Sequence, residues 1–329
     1  MDRMQLQWNH KVFGIKQNNF EALALEIFQF QYRNNPIYKA YADALHVEPG
    51  AVRGITEIPF LPIEFFKTHQ VKSTSFEPGI IFESSGTTGT LKSRHFIKEP
   101  LFYEESFTKA FELFYGPVND YCILCLLPSY LERGNSSLVY MCEKLIRQSG
   151  HPMSEFYIDN TDKLAAVLKE LEHQQQKTIL LGVLFALLDF SEKHPFELKN
   201  TTIMETGGMK GRREELIRSE AHEILGKNFG VASIHSEYGM TEMLSQAYSK
   251  KEGLFLSPPW LKVMVRDEAD PLQVTAAGTG AINIIDLANV YSCSFIATDD
   301  AGKVYDDGSF EVTGRIDNSD LRGCSLMVI

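Results

Sequence analysis

Tyr121-Cys122-Ile123-Leu124-Cys125-Leu126-Leu127 carries no charged residue. A strand with one face in water alternates apolar and polar residues. A run this uniformly apolar suits a strand covered on both faces, as in a parallel sheet layered with helices. The flanking sequence repeats the theme. From about residue 80 strands and helices alternate: a strand at 80–83, a helix near 103–115, the 121–127 strand, a helix near 136–149 and a short strand at 155–158. Then come a helix near 162–175, a strand at 178–181, a helix at 183–193, a strand at 202–205 and a helix at 212–226. Such alternation predicts an α/β architecture of parallel strands.

Working outward, residues 19–33 place Phe20, Leu23, Ile27 and Phe28 or Phe30 at helical spacing, with Asn19 as cap and Asn34-Asn35-Pro36 as stop. This amphipathic helix reads as the first element. Residues 58–67 are too interrupted by Pro59 and Pro62 for a central strand and too apolar for a solvent loop, so they read as an irregular core segment. After about 252 the character changes: β-rich stretches at 263–265, 280–285 and 310–312 lie between Gly/Asp turns. The expected division is 1–78, an N-terminal helical segment packed on the core; 79–251, an α/β core; and 252–329, a small β-rich subdomain. No internal repeat or low-complexity tract is visible.

Across 329 residues, 44% are hydrophobic and 11% aromatic, enough for a large core. The net charge of −11, with no basic stripe, argues against nucleic acid or an anionic membrane as partner, so an anionic ligand needs a local site. The N-terminus lacks the apolar core of a signal peptide and no apolar stretch could span a bilayer; the expected location is cytoplasmic. Five cysteines, at 122, 125, 142, 293 and 324, are odd in number and scattered, which suits thiols rather than a disulfide framework. Cys122 and Cys125 form a C-x-x-C inside the apolar strand, without partners at zinc-knuckle spacing.

The densest functional signal is Phe82-Glu83-Ser84-Ser85-Gly86-Thr87-Thr88-Gly89-Thr90-Leu91-Lys92. Glycines let backbone N–H groups turn toward an anion, and hydroxyls add rotatable donors. The spacing is not that of a P-loop, which needs four residues between its glycines and a lysine directly after the second. Taken alone, the run reads equally as a Ser/Thr/Gly surface loop. Four motifs follow it in order: Glu205-Thr206-Gly207-Gly208-Met209-Lys210, His235-Ser236-Glu237-Tyr238-Gly239-Met240-Thr241-Glu242, Ala297-Thr298-Asp299-Asp300, and Gly314-Arg315-Ile316-Asp317 leading into Leu321-Arg322-Gly323-Cys324. Lys210 and His235 read as an exposed turn lysine and a hydrogen-bonded core histidine.

Together, from about residue 80 onward, these motifs resemble the adenylate-forming superfamily of acyl-CoA synthetases and AMP-forming acid ligases. The closest resemblance is to the acyl-protein synthetases of the bioluminescence fatty-acid reductase system and to the phenylacetate–CoA ligase-like branch. It rests on Phe65-Phe66-Lys67, on Gly207-Gly208-Met209-Lys210 and on Arg322-Gly323-Cys324-Ser325-Leu326. The resemblance implies the superfamily's N-terminal-domain fold, with ATP and Mg²⁺ as cofactors and a fatty or aromatic carboxylic acid as substrate. Ser84, Ser85, Gly86, Thr87, Thr88 and Gly89 would cradle the β- and γ-phosphates, with Lys92 adding positive charge. Thr241 would bond the α-phosphate and Glu242 would ligate the metal. Gly207 and Gly208 would flank the adenine and Tyr238, beside Gly239, would lie against it. Asp300 would grip the ribose hydroxyls, with Asp299 the near miss, and Arg315 would meet ribose or phosphate. Taken singly, each of these residues also has a plain structural reading.

The sequence departs from the superfamily after Gly314-Arg315-Ile316-Asp317, where most members continue into a lid domain carrying a catalytic lysine. This sequence ends at Ile329, so the lid is expected to be absent, with Lys92, Arg315 or a partner protein substituting. Acyl-protein synthetases use a cysteine near the C-terminus as acyl acceptor, and Cys324 matches it; Arg322 would lower its pKa. The alternative for Cys324 is a small buried residue of a terminal strand. Acceptors to consider are CoA, a protein thiol and a reductase partner. Two rival functions stay open: an acyltransferase using Cys324 as relay, and a non-catalytic nucleotide- or acyl-binding subunit.

Overall fold

The uniformly apolar run forms the strand Cys122–Leu126, every residue of which is buried. The computed structural model describes residues 3–84, 91–127, 135–157, 160–207 and 216–316. In it this strand lies between Glu155–Phe156 and Thr178–Val183, all parallel, followed by Thr201–Thr206 and His235–Tyr238 in the same direction. Strand alternation divides the run between two cores. Ile123, Cys125 and Leu127 face the larger core, together with Ile179, Leu181 and Met204. Cys122, Leu124 and Leu126 face the other, against Leu164, Leu168 and Leu171 of helix Thr161–His173 and Leu187 and Leu188 of helix Leu184–Lys193. Both faces are covered, which is why no position in the run tolerates a charge. It also places Cys122 and Cys125 on opposite faces, so they do not form a metal pair.

At Tyr238 the sheet changes sense. Ala247–Ser249 pairs antiparallel with His235–Tyr238, and Phe255–Leu256, Phe310–Arg315, Phe295–Val304, Gly278–Asp286, Leu261–Arg266 and Val274–Thr275 continue it antiparallel. The sheet therefore runs unbroken through position 252, where the sequence changes character. Residues 58–67, read as irregular, contribute a two-residue parallel bridge, Leu61–Pro62, against Ile296 and Ala297, and then the short helix Phe65–Thr68.

Three local expectations need correcting. The first element is the helix Arg3–Phe13, which precedes Phe20–Asn34; among its described side chains only Trp8 and Val12 are fully buried, too sparse a stripe to read. Asn19 occupies the cap position but makes no side-chain cap bond, whereas Asn35 ends one helix and caps the next, accepting from the N–H groups of Ile37 and Tyr38. Finally, Ile80–Glu83 is not part of the parallel sheet. It forms a two-stranded antiparallel hairpin with Arg94–Ile97, a strand hidden in the sequence by its leading Arg-His. The helix expected at 212–226 is described as Arg218–Phe229.

Candidate active site

The reading residues gather where the parallel strands end. Tyr238 closes its strand, and Gly207 follows the neighbouring strand Thr201–Thr206. Gly207 has φ +72°, a conformation strained for side-chain-bearing residues, although a Cβ would meet nothing within 4 Å; glycine is needed there for backbone shape alone. The buried Tyr238 ring packs on Phe255 and Phe310, with centroids at 5.8 and 5.6 Å. Its hydroxyl donates to Asp300 Oδ2 at 2.8 Å. Burial and the Asp300 charge push the phenol pKa well up, so the group stays a donor. Across the antiparallel ladder Asp300 faces Arg315, whose Nε lies 3.6 Å from Asp300 Oδ1. Register thus brings Asp300 to the cluster, while the Asp299 carbonyl accepts the Ile316 N–H at 2.8 Å.

A second group lies at the open end of the hairpin. The Ser84 N–H donates to the Ser93 carbonyl at 3.1 Å, and the Ser93 N–H donates to Ser84 Oγ at 3.0 Å. Lys92 Nζ reaches Glu83 Oε2 at 3.3 Å, so its charge is held by an ion pair. The Ser93 hydroxyl hydrogen-bonds the buried Glu242 carboxylate, whose pKa is nevertheless raised because burial outweighs that bond and the more distant Lys67 and Arg315. Such a carboxylate lacks positive charge. A Mg²⁺ held by one carboxylate, water and phosphate oxygens would supply it, so the residue fits the implied metal. Among the described residues no group of three or more His, Cys, Asp or Glu side chains is placed to hold a metal ion.

The loop carrying Thr241 and Glu242 is rooted by buried groups that no motif announced. His95, fully buried on strand Arg94–Ile97, donates from Nδ1 to the Thr241 carbonyl at 2.8 Å, and its Nε2 lies 2.9 Å from Asn289 Oδ1. Asn289 in turn donates from Nδ2 to the Glu242 carbonyl at 2.7 Å. Protonation would let the ring donate to both the Thr241 and the Asn289 oxygens, but burial outweighs these contacts and lowers the His95 pKa to about 4. Just beyond, the buried Asp286 carboxylate accepts from the N–H groups of Leu244 (2.7 Å), Ser245 (3.1 Å) and Ala288 (3.1 Å) and from Ser245 Oγ (2.6 Å). Burial still lifts its pKa to about 6. Glu237, in the strand before the loop, accepts from Thr206 Oγ1 and is lifted by burial to about 7. A Cβ at Gly239 would come within 2.5 Å of Glu237 Oε1, so this glycine is a matter of space.

His235 bears out its plain reading: half-buried, it meets the Tyr115 hydroxyl at 3.1 Å and is held neutral by burial, with a pKa of about 4. Ser85, Gly86, Thr87, Thr88, Gly89, Gly208 and Cys324 lie outside the described residues.

The family model described as acyl-protein synthetase, LuxE, matches residues 6–329. The chain belongs to that family. A curated relative, the long-chain-fatty-acid–luciferin-component ligase of Aliivibrio fischeri, is 24% identical over 337 residues, covering 93% of this chain and 86% of the relative. Among solved structures, 2-hydroxyisobutyryl-CoA ligase in its postadenylation state superimposes with TM-score 0.66 at 11% identity, over 92% of this chain and 68% of that one. ATP-bound MatB from Rhodopseudomonas palustris gives TM-score 0.56 at 16% identity, over 74% of this chain and 49% of its own. A long-chain-fatty-acid-CoA ligase from Archaeoglobus fulgidus gives 0.51 at 16% identity, over 72% and 51%. This acyl-protein synthetase family member thus has the fold of adenylate-forming enzymes and spans about half the length of the last two. No described helix is long and apolar enough to cross a membrane.

Proposed function

We propose that this protein is an ATP-dependent, AMP-forming ligase that activates a fatty or aromatic carboxylic acid and passes the acyl group to a thiol. One observation carries the reading: segments far apart in sequence, at 84 and 93, 207, 238–242, 300 and 315, converge at one end of the sheet. Their chemistry matches the parts of a nucleotide. Gly207 and the Tyr238 ring flank the base. Asp300, oriented by Tyr238 and Arg315, offers a carboxylate to ribose hydroxyls, and Thr241 offers a hydroxyl to the α-phosphate. Lys92 exchanges Glu83 for phosphate oxygens beside Ser84 and residues 85–89.

In the reaction a carboxylate oxygen of the acid attacks the α-phosphorus of ATP, the bond to the bridging oxygen breaks, and pyrophosphate leaves with the electron pair. A thiolate then attacks the acyl carbon and AMP departs, leaving a thioester. When bound through Glu242, Mg²⁺ neutralises the phosphate charge that builds on the leaving group. Arg315, more than half exposed, adds a cation at the rim. The four described cysteines are all buried, and burial pushes Cys122 up to about 11 and Cys293 up to about 12, which makes them poor nucleophiles. This favours Cys324 as the relay thiol within the chain, with CoA or a reductase protein as further acceptor. The proposed setting is cytoplasmic.

The test is incubation with ATP, Mg²⁺ and a panel of short, long and aromatic acids, following AMP release and the intact mass of the protein. The expected result is acid-dependent AMP release with an acyl adduct that Cys324→Ser abolishes while sparing acyl-adenylate. ATP binding without AMP release for any acid would favour a non-catalytic binding subunit instead.

A further inference from the structure

We infer that His95 and Asn289 are positioning residues that lock the proposed metal-bearing loop to the phosphate-side hairpin. This rests on the nucleotide reading above and names what holds its two halves in register. The hairpin Ile80–Glu83 with Arg94–Ile97 forms its own two-stranded sheet, separate from the one bearing Thr241 and Glu242, so no ladder fixes one against the other. Side chains must do it. Ser93 reaches the Glu242 carboxylate itself. Two residues further on, His95 grips the Thr241 carbonyl, and Asn289, whose Oδ1 lies 2.9 Å from the His95 ring, donates to the Glu242 carbonyl. The two successive carbonyls of the loop are thus held by adjoining donors, one from the hairpin and one from the turn Leu287–Asn289.

The ring has little freedom to give. Phe66 packs edge-on against it, with centroids 5.7 Å apart and planes at 90°, and both His95 and Asn289 are essentially inaccessible to solvent. The anchoring of Asn289 extends to the helix Phe20–Asn34, because Gln31 Nε2 donates to the carbonyls of Asn289 (3.1 Å) and Val290 (2.9 Å). A buried histidine with two partners is most often only a satisfied core group. What separates this one is where its partners sit: both bonds end, directly or through one amide, on the backbone of the residue pair that would meet phosphate and metal. A displacement of even half an ångström there moves a metal-binding carboxylate out of place.

The experiment compares the full-length parent with His95→Ala, His95→Gln and Asn289→Ala, using Leu180→Ala as control; Leu180 is buried on the opposite face of the parallel sheet. Two readouts are taken on each folded variant. Hydrogen exchange of the ligand-free protein is expected to quicken at 240–245 and at 91–93 in the His95 and Asn289 variants, but not in Leu180→Ala. In ATP turnover, the Mg²⁺ concentration for half-activation and the KM for ATP are expected to rise about tenfold or more, with the KM for the acid unchanged. The double variant should be no worse than the worse single one, because both act through one bracket. His95→Gln, which keeps a donor, should lie between parent and His95→Ala, and it serves as the test if the alanine variant does not fold. Exchange at both loops equal to that of Leu180→Ala, or an unchanged Mg²⁺ requirement, would overturn the inference. A parent without Mg²⁺-dependent turnover would contradict the proposed function, and the exchange comparison would still decide the positioning role.

Discussion

The two sides of the site are built by opposite means. The Thr241–Glu242 loop is rooted in buried polar groups, His95, Asn289 and Asp286, all essentially inaccessible. The Asp300–Arg315 side is the end of an antiparallel ladder, where the Arg315 side chain is 62% exposed. A buried donor or acceptor that loses its partner has no water to replace it, whereas an exposed ion pair is screened and replaced readily. Substitutions on the first side are therefore expected to act through stability and geometry together. On the second they should act on ligand affinity with the fold intact.

The sharpest way to break this contrast is Asp286→Ala, which strands the N–H groups of Leu244, Ser245 and Ala288. The expected loss is about 3–5 kcal/mol in urea unfolding; a loss under ~1 kcal/mol would mean that the loop is not rooted there. Next comes Glu237→Gln. The folded Glu237 carboxyl titrates at about 7, above its ordinary 4.5, so its contribution to stability is present below pH ~4.5 and is lost as pH rises toward 7. Relative to the parent, the variant should gain up to about 3 kcal/mol between pH 4.5 and pH 8. Parallel stability–pH curves for parent and variant would contradict the buried-carboxyl assignment.

Smaller effects belong to the edge. Tyr238→Phe removes one hydrogen bond to Asp300 and should cost about 1 kcal/mol, with weaker nucleotide binding measured by calorimetry. Arg315→Ala should leave stability within about 0.5 kcal/mol while weakening ATP binding roughly tenfold through loss of a charge-assisted contact. A large stability loss in Arg315→Ala would erase the contrast between the two sides.

Much of the parallel half is legible in the sequence, because strands such as Cys122–Leu126 and Thr178–Val183 must be apolar on both faces and announce it. The hairpin strand Arg94–Ile97 is not, since four residues beginning Arg-His carry no periodicity. Likewise, among its described side chains the helix Arg3–Phe13 buries only Trp8 and Val12, too few to show a stripe. Of the candidate site, the residues carried by motifs could be proposed from the sequence. The motif already favoured Asp300 over Asp299, and ladder register adds the reason that Asp300 meets Arg315. His95, Asn289 and Asp286 were invisible for a different reason. Their partners lie far off in sequence, 146 positions for His95 and Thr241 and 194 for His95 and Asn289, and hydrogen bonds between such distant positions leave no local pattern. The ion pair of Lys92 with Glu83 also follows from the hairpin, whose register sets Glu83 opposite Arg94 and so brings the residues around Lys92 back toward it.

The most direct measurement is ATP–pyrophosphate exchange with Mg²⁺ across a panel of carboxylic acids, run on the parent and on Glu242→Gln. Adenylation at this site predicts exchange that depends on one class of acid in the parent and falls by at least about a hundredfold in the variant while ATP is still bound. Exchange undiminished in Glu242→Gln, or absent from the parent with every acid despite bound ATP, would contradict it.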